Sequence, residues 1–484
     1  MIDRRQFLEA AGLAVLAPGA CVTRPGSVAG IRVNDIHSEL NRTVVSSIIR
    51  PRSAGELREI VASSRGAIAV SGGRHAMGGQ QFASAAPLLD LRQMNKVLSL
   101  DRERGIVEVE SGIQWPELIT SLIEAQRGEA RQWGIAQKQT GADRLTIGGA
   151  LAANVHGRGL TMKPFVGDVE SFVLVDASGR ELECSRGSHR DLFALAIGGY
   201  GLFGVISRVR LRLVPRRKLQ RVVEVQSVDT AMQAFEERIA GGYLYGDFQF
   251  SIDEQAEGFL RDGVFSCYRP VADDTPMPEK QAELAPGDWM KLLYLAHADR
   301  NAVYQQYVAY YLASSGQIYW SDEHQLSYYP DGYHRTVDAM TGGASATEMI
   351  SELYVPRPRL ADFMRAAAEE LRRRGVPVIY GTVRLIERDD ETFLPWAKQS
   401  YACVIFNLHT EHSPEGIARA AETFRALIDL AIARDGSYFL TYHRWARPDQ
   451  VEKCYPQFAG FLQRKLEYDP SEKFQSDWYR SFRA

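Results

Sequence analysis

The chain contains the sequence Val70-Ser71-Gly72-Gly73-Arg74-His75-Ala76-Met77-Gly78-Gly79-Gln80. Residues 67–70 form a short apolar run that predicts a strand, so the glycines come directly after a strand. Consecutive glycines at this point let the backbone adopt positive φ and turn its amides toward an anionic ligand. A histidine in the turn, here His75, is held beside that ligand. Taken alone, the motif is more typical of a structural turn with an exposed histidine.

A second glycine-rich sequence is Thr146-Ile147-Gly148-Gly149-Ala150-Leu151-Ala152-Ala153-Asn154-Val155-His156-Gly157-Arg158-Gly159. Small residues over so many positions fill a protein core poorly. They suit a site in which a large flat ligand occupies the missing volume. A small-residue helix packed tightly against a neighbour is the alternative interpretation.

The sequence Gly199-Tyr200-Gly201-Leu202-Phe203-Gly204 matches the dinucleotide-binding pattern Gly-x-Gly-x-x-Gly. That pattern requires a strand before it and a helix after it. Here residues 191–196 predict a helix before the glycines, and alternating apolar residues predict a strand from Val205 to Pro215. The order is reversed, which excludes a Rossmann site. The glycines still allow close approach of the backbone to another ligand.

The composition is that of a globular protein of enzyme size. The 484 residues include 57 Lys and Arg and 60 Asp and Glu, which gives a net charge of −3. This charge offers no footprint for nucleic acid, which favours a basic excess. No uncharged apolar run reaches the roughly 18 residues of a membrane span. The five cysteines show no Cys-x-x-Cys pair and no metal-ligand spacing with histidine, so we predict no metal site.

The three glycine motifs, in this order and at about this spacing, resemble the vanillyl-alcohol-oxidase-like flavoproteins with a p-cresol-methylhydroxylase (PCMH) type FAD domain. Within that superfamily the sequence is most similar to the alditol, gulonolactone and cytokinin oxidase branches. The resemblance implies an α+β fold in which a PCMH-type FAD-binding domain (residues 31–215) joins a substrate-binding cap domain (residues 216–440). It also implies that residues 441–484 return to the FAD domain.

The resemblance assigns the cofactor, FAD, to the glycine-rich segments. In this family the histidine of the first loop often carries FAD covalently through the 8α-methyl group of the flavin, so a covalent bond at His75 is predicted. Residues 139–144 contain no cysteine, which excludes the second link of doubly linked members. The predicted FAD contacts are Gly72, Gly73, Arg74, His75, Ala76, Met77, Gly78, Gly79, Thr140, Gly141, Thr146, Gly148, Gly149, Ala152, Asn154, His156, Gly157 and Ile206.

Two residues are candidates on the substrate side. Thr382-Val383-Arg384 resembles a Glu-x-Arg strand of the alditol branch, with Thr382 in place of the glutamate. An arginine is suited to stabilise negative charge near flavin N1, because its own charge is permanent. Tyr442-His443-Arg444-Trp445 lies where that branch has His-Trp-Gly-Lys, and imidazole titrates near neutral pH. We therefore predict catalytic roles for Arg384 and for His443, the latter as a base or a substrate hydrogen-bond partner; a surface arginine at a strand edge is the alternative for Arg384.

The first residues, Met1 to Cys21, resemble a twin-arginine export signal. The pair Arg4-Arg5 is followed by Phe7-Leu8 and a short apolar region that ends in small residues. The twin-arginine route carries folded proteins, which suits an enzyme that binds its cofactor before export. We predict a signal over residues 1–30 and a periplasmic location, or a cytoplasmic one if the segment is an ordinary amphipathic helix.

Together these features predict an FAD-dependent oxidoreductase that oxidises an alcohol-type (CH–OH) carbon of a small-molecule substrate by hydride transfer to flavin N5. O2 or another electron acceptor reoxidises the flavin. Neither nucleic acid nor a membrane span is expected to take part. Two alternatives remain open at this point: a lipid-linked sugar oxidase with non-covalent FAD, and an exported flavin-binding protein without turnover.

Overall fold

The computed structural model describes residues 30–278, 281, 283–327, 330 and 332–483. The predicted export signal lies outside the described residues, apart from Gly30. Within the described ranges the chain forms an α+β fold, which confirms the fold class that the sequence predicts.

The first part of the described chain, up to Pro215, forms three sheets. Strands β1 and β2 make an antiparallel pair, β3, β5 and β4 make a parallel sheet in that order, and the third sheet is antiparallel in the order β10-β9-β11-β7-β6, with β8 also paired to β11. The strands are β1 (Ile31–Val33), β2 (Thr43–Val45), β3 (Ser47–Ile49), β4 (Ala69–Ser71), β5 (Pro87–Asp90), β6 (Val97–Asp101), β7 (Ile106–Glu110), β8 (Trp133–Ile135), β9 (Val169–Val175), β10 (Glu181–Ser185) and β11 (Val205–Pro215).

The helices of this part are α1 (Ala54–Ser63), α2 (Trp115–Ala125), α3 (Ile147–Ala153) and α4 (Arg190–Ala196). Helix α4 comes before the Gly199–Gly204 motif and β11 comes after it. This order is the reverse of a dinucleotide fold, as the sequence predicts. The first glycine loop follows β4, which begins two residues later than the predicted strand.

The chain changes sheets between Pro215 and Lys218, at the predicted domain boundary. The second sheet is antiparallel in the order β15-β12-β14-β13-β17-β18-β16-β19. Its strands are β12 (Lys218–Ser227), β13 (Tyr245–Phe250), β14 (Asp262–Pro270), β15 (Ile318–Trp320), β16 (Ala346–Pro356), β17 (Val378–Ile386), β18 (Tyr401–Glu411) and β19 (Ser437–Tyr438).

Two groups of helices contact this sheet. One group consists of α5 (Val228–Ala240), α9 (Leu360–Arg374) and α10 (Pro414–Ile432). The second group consists of α6 (Pro286–Ala298), α7 (Arg300–Ala313) and α8 (Tyr333–Thr341). Helix α9 spans residues 360–374, because its apolar residues recur at helical period and Gly375 ends it in a left-handed conformation.

The end of the chain contacts the first sheets again. After α11 (Pro448–Cys454) and α12 (Phe458–Tyr468), the Lys473 carbonyl accepts a hydrogen bond from Ile68 N at 2.7 Å. Helix α13 (Asp477–Ser481) follows, and the Asp477 carboxylate accepts from Ser84 N at 2.9 Å. In the described part of the chain, no helix combines the length and the apolarity that crossing a bilayer requires.

Candidate active site

A cavity of about 810 Å³ lies between the first glycine loop, α3 and the second sheet. The walls on the first side come from residues 70–77, 139–149 and the 200–206 segment. The walls on the other side come from β13, β17, α6 and α7. The predicted FAD-binding and substrate-binding parts of the chain therefore face one shared space.

The two glycines after β4 are needed for space. A Cβ on Gly72 would lie 2.0 Å from Thr146 Oγ1, and a Cβ on Gly73 would lie 2.2 Å from the Arg144 carbonyl oxygen. The sequence-based expectation of positive φ at these glycines is wrong, because the left-handed residue of the loop is Arg74, with φ of 61°. The glycines instead let the first loop approach the start of α3.

His75 lies partly buried in the cavity wall beside a second histidine. Its Nδ1 is 2.8 Å from His37 Nε2, so one of these two nitrogens carries the shared proton. His75 Nε2 has no hydrogen-bond partner among the described residues. Burial, with a smaller contribution from His37, holds the pKa of His75 well below its ordinary value. The ring is therefore neutral near pH 7 and can present a lone pair.

Helix α3 is fixed at its first turn by Thr146 and Ser111. Thr146 Oγ1 accepts from Gly149 N at 3.2 Å, and Gly148 N donates to the Ser111 carbonyl at 2.8 Å. A Cβ on Gly148 would lie 2.8 Å from the Ser111 Cβ. The small residues of this helix thus serve close packing and also leave room for the cavity, so both interpretations of the sequence apply.

Buried polar atoms line this half of the cavity. Each has no hydrogen-bond partner within the described ranges, although buried polar groups in folded proteins are nearly always paired. These atoms offer donors and acceptors to a polar ligand in the cavity. They belong to Arg74, His75, Gln81, Ser111, Gln139 and Thr140.

The opposite half carries a second set of such groups. Arg384 on β17 is buried, and its Nε and Nη1 find no partner in the described part of the chain. Asp247 and Gln249 on β13 line the same wall. Around them stand aromatic side chains from α7 and β15: Tyr304, Tyr307, Tyr310, Tyr311, Tyr319 and Trp320. This half can bind a molecule that has both polar and apolar parts.

Comparison with known proteins shows what the first half binds. Residues 45–185 match the family model described as "FAD binding domain". The L-gulono-1,4-lactone dehydrogenase of Mycobacterium tuberculosis is 24% identical over 451 residues, which cover 90% of this chain and 95% of that protein. The chain is an FAD-dependent oxidoreductase.

Other flavoproteins of the predicted branches also match this FAD-dependent oxidoreductase. The L-gulonolactone oxidase of Mus musculus is 32% identical over 171 residues, which cover 34% of this chain and 37% of that protein. Cytokinin dehydrogenase 1 of Oryza sativa subsp. japonica is 23% identical over 520 residues, which cover 96% of this chain and 94% of that protein. The resemblance to PCMH-type flavoproteins is confirmed.

The residues present fit FAD. The unpartnered atoms of the first half supply polar contacts, and Gly72 and Gly73 line the cavity beside them. Most predicted FAD contacts line the cavity: Gly72, Gly73, Arg74, His75, Ala76, Met77, Thr140, Gly141, Thr146, Gly148, Gly149, Ala152 and Ile206.

The structure places the other predicted FAD contacts outside the cavity lining. A Cβ on Gly78 would lie 2.3 Å from the Tyr442 carbonyl oxygen, and Gly79 has φ of 78°. Both glycines therefore shape the turn that follows the loop. The Asn154 side chain is occupied, because Nδ2 donates to Asp389 at 2.9 Å and Oδ1 accepts from Val166 N at 3.0 Å.

His156 and Gly157 also lie behind the wall. His156 Nε2 is 2.7 Å from Glu352 Oε1 and its Nδ1 is 2.9 Å from the Gly157 carbonyl. A Cβ on Gly157 would lie 2.8 Å from the Lys138 carbonyl, so this glycine allows backbone packing. The nitrogen, oxygen and sulfur of His156, Glu352 and Cys403 lie within 4.8 Å of one another, a spacing that could hold a metal ion. Hydrogen bonds already join these three atoms.

The predicted catalytic residue His443 does not line the cavity either. Its ring stacks on Trp445 at 4.0 Å and 8° and stands outside the cavity lining. Burial lowers the pKa of His443 to about 4. Its neighbour Tyr442 lines the cavity instead and donates to Glu352 Oε2 at 2.8 Å. Sequence reasoning missed Tyr442, Asp247 and Gln249, since no local motif marks them.

Proposed function

We propose that this enzyme oxidises an alcohol-type (CH–OH) carbon of a small molecule by hydride transfer to flavin N5. One observation carries the proposal: a single cavity joins the groups that fit FAD to the buried, unpartnered polar groups of β13 and β17. A substrate bound against those strands reaches the same space as the cofactor.

FAD, when bound, supplies a two-electron acceptor for the hydride. The side chains of the protein position the substrate and supply a positive charge beside it. Arg384 is 5% exposed and carries a permanent positive charge, so it stabilises negative charge that develops nearby during the reaction. The aromatic side chains of α7 and β15 exclude water from the reacting atoms and hold the apolar part of the substrate.

We further propose that FAD is covalently bound to His75. The proposal is supported by the position of the ring in the cavity wall and by the unpartnered Nε2. The neutral ring favours it too, because a protonated imidazole cannot act as a nucleophile.

The relatives guide the choice of substrates to test. Two of them are named for gulonolactone, and the match with the mycobacterial dehydrogenase extends along 90% of this chain. Thr382 stands where the alditol branch has a glutamate, so a simple sugar alcohol is a less favoured substrate. The panel therefore contains L-gulono-1,4-lactone, L-galactono-1,4-lactone, sorbitol and aromatic alcohols.

The test is anaerobic bleaching of the flavin. We expect at least one panel compound to abolish the visible flavin absorption of the purified enzyme. The Arg384→Lys variant, which keeps the charge but loses the fork of donors, should bleach more slowly. Dithionite serves as a control for reducible flavin. If dithionite bleaches the flavin and every panel compound fails, the proposal is contradicted. Reoxidation with O2, compared with a dye, then identifies the electron acceptor.

We also propose export by the twin-arginine route to the periplasm. The proposal rests on Arg4-Arg5, Phe7-Leu8 and the apolar region that follows. Residues 1–30 fused to a folded reporter should be exported, and Arg4→Lys with Arg5→Lys should retain it in the cytoplasm. Equal export of both fusions would contradict the proposal.

A further inference from the structure

Asp247 is a buried carboxylate in the substrate half of the cavity. It lies on β13 and is 2% exposed. Strands β13 and β17 pair in antiparallel register at Phe248 and Val383, so Asp247 and Arg384 are adjacent on the two strands. Both residues line the cavity. A negative group and a positive group are thus placed side by side at the wall where the substrate binds.

The two oxygens of Asp247 have different surroundings. Oδ2 accepts from Gln249 Nε2 at 2.6 Å and from Thr382 Oγ1 at 3.4 Å. Oδ1 makes no hydrogen bond with any described residue, and Arg158 Nη1 lies 3.8 Å away from it. A buried carboxylate oxygen without a donor is costly. Gln249 therefore fixes the carboxylate and leaves Oδ1 available to a donor in the cavity.

We infer that Asp247 is the catalytic base and accepts the hydroxyl proton of the substrate. The inference rests on the proposed function. The O–H bond breaks and its proton moves to Oδ1, the C–H bond breaks and its electron pair leaves as hydride to FAD, and the carbon–oxygen bond becomes a carbonyl. Arg158 and Arg384 stabilise the negative charge that grows on the substrate oxygen as the proton leaves.

Other candidate bases fit this role less well. His443 stands outside the cavity lining, stacked on Trp445. Glu348 lines the cavity, but it lies on β16, and strand β18 separates β16 from β17 and Arg384. Asp247 alone among these three combines a charge, an oxygen open to a donor and adjacency to Arg384.

The charged and titratable groups that face Asp247 come from several elements. Two of these groups are arginines, which place positive charge near the carboxylate. The others are phenols and a thiol whose ionised forms burial disfavours. The groups are Arg158 after α3, Tyr307 on α7, Cys267 on β14, and Tyr380 and Arg384 on β17.

The test measures the rate constant of anaerobic flavin reduction, across pH, with the panel compound that best reduces the wild type. We expect Asp247→Asn to retain its FAD. Its flavin should be reduced by the panel compound at least about a hundredfold more slowly than the wild-type flavin. We expect the wild-type rate to fall at low pH and this fall to be absent in Asp247→Asn. Asp247→Glu should restore part of the rate, and the exposed control Asp274→Asn should match the wild type.

Asp247→Ala, tested with and without formate, gives a second readout. Formate can replace the missing carboxylate, so it should accelerate reduction in this variant and leave the wild type unchanged. Asp247→Asn that contains FAD and reduces at the wild-type rate would overturn the inference and leave the proposed function intact. If Asp247→Asn loses FAD, absence of rescue by formate overturns it instead. A wild type that no panel compound reduces would overturn both.

Discussion

The carboxylate of Glu352 accepts hydrogen bonds from four surrounding side chains. Its Oε1 faces His156, Tyr354 and Cys403, and its Oε2 faces Tyr442. Burial alone would raise the pKa of Glu352, but His156 and the hydroxyl donors lower it to about 2. Because Tyr442 lines the cavity, this network fixes one wall of the active site from behind.

Replacement of Glu352 tests this network. We expect Glu352→Gln to lower the free energy of unfolding by about 3 kcal/mol near neutral pH, since it breaks a buried pair. The lowered pKa stabilises the fold fully above the ordinary carboxyl pKa, and this stabilisation is lost as the pH falls toward about 2. Urea denaturation measures the free energy of unfolding, and the difference in this free energy between variant and wild type should therefore shrink on acidification. A constant difference, or a similar loss in the exposed control Glu257→Gln, would contradict this account.

The covalent bond is also a prediction at the level of one residue. Acid denaturation of the wild type should give a yellow pellet, because covalent FAD stays with the polypeptide. In His75→Ala the colour should move to the supernatant. His189→Ala, a change at an exposed histidine, should keep it in the pellet. A yellow pellet from His75→Ala would place the bond elsewhere, and a colourless wild-type pellet would show that FAD dissociates.

Residue-level predictions from the sequence are most useful where the motif is local. His75 lies in a glycine loop whose residues are consecutive, and the structure places it in the cavity wall. Asp247 joins Arg384 only through a pairing of strands that are more than a hundred residues apart. The local sequence around Asp247 carries no sign of that pairing. His443 is predicted from the position of a family motif, whereas the adjacent residue Tyr442 is the one that lines the cavity.

At the level of elements, the first loop and α3 form one unit through Gly72 and Thr146. We expect Gly72→Ala to weaken FAD binding strongly, because its Cβ would lie 2.0 Å from Thr146 Oγ1, the atom that caps α3. Gly66→Ala is the matched control, since a Cβ there meets no described atom within 4 Å. The ratio of flavin to protein absorbance after purification measures the effect. Full FAD content in Gly72→Ala would contradict a requirement for this close contact in FAD binding.

The elements themselves follow from local sequence where periodicity is strong. Helix α9 and strand β11 were predictable, because apolar residues recur at the helical and strand periods. Helix α10 begins at Pro414. Its first turn is defined by Ser413, which caps Gly416 N, so capping rather than periodicity sets the start.

At the level of the whole molecule, the chain end is anchored by a buried ion pair. Lys465 on α12 contacts Asp469, and both side chains are almost fully buried. Asp469 also accepts from Lys473 N at 3.0 Å and from Phe474 N at 2.8 Å, next to the contact with Ile68. This carboxylate therefore directs the return of the chain to the first sheets.

We expect Asp469→Asn to destabilise the protein by about 3 kcal/mol, because it leaves the Lys465 charge buried without its partner. Thermal unfolding of the holoenzyme measures the loss. The control Asp449→Asn removes an acid that pairs with Arg447 at the surface and should change the melting temperature little. Equal melting temperatures for the two variants would contradict the anchoring role.

The overall plan was predictable from the sequence, while the cap was not. The FAD-binding half is encoded in segments of about ten consecutive residues each. The second sheet brings together strands from positions 218 to 438, and the substrate wall depends on which strands pair and in which register. Burial selects that register through the whole core, so a local pattern does not reveal it.

In the proposed reaction, a substrate CH–OH carbon gives a hydride to FAD in this cavity. The most direct measurement is anaerobic flavin reduction with the active panel compound, compared with the same compound deuterated at the reacting carbon. We expect the flavin absorption to be lost and deuterium to slow this loss several-fold. Equal rates of flavin reduction with the two compounds, or a product that keeps the deuterium and has lost a hydrogen from another position, would contradict the proposed reaction.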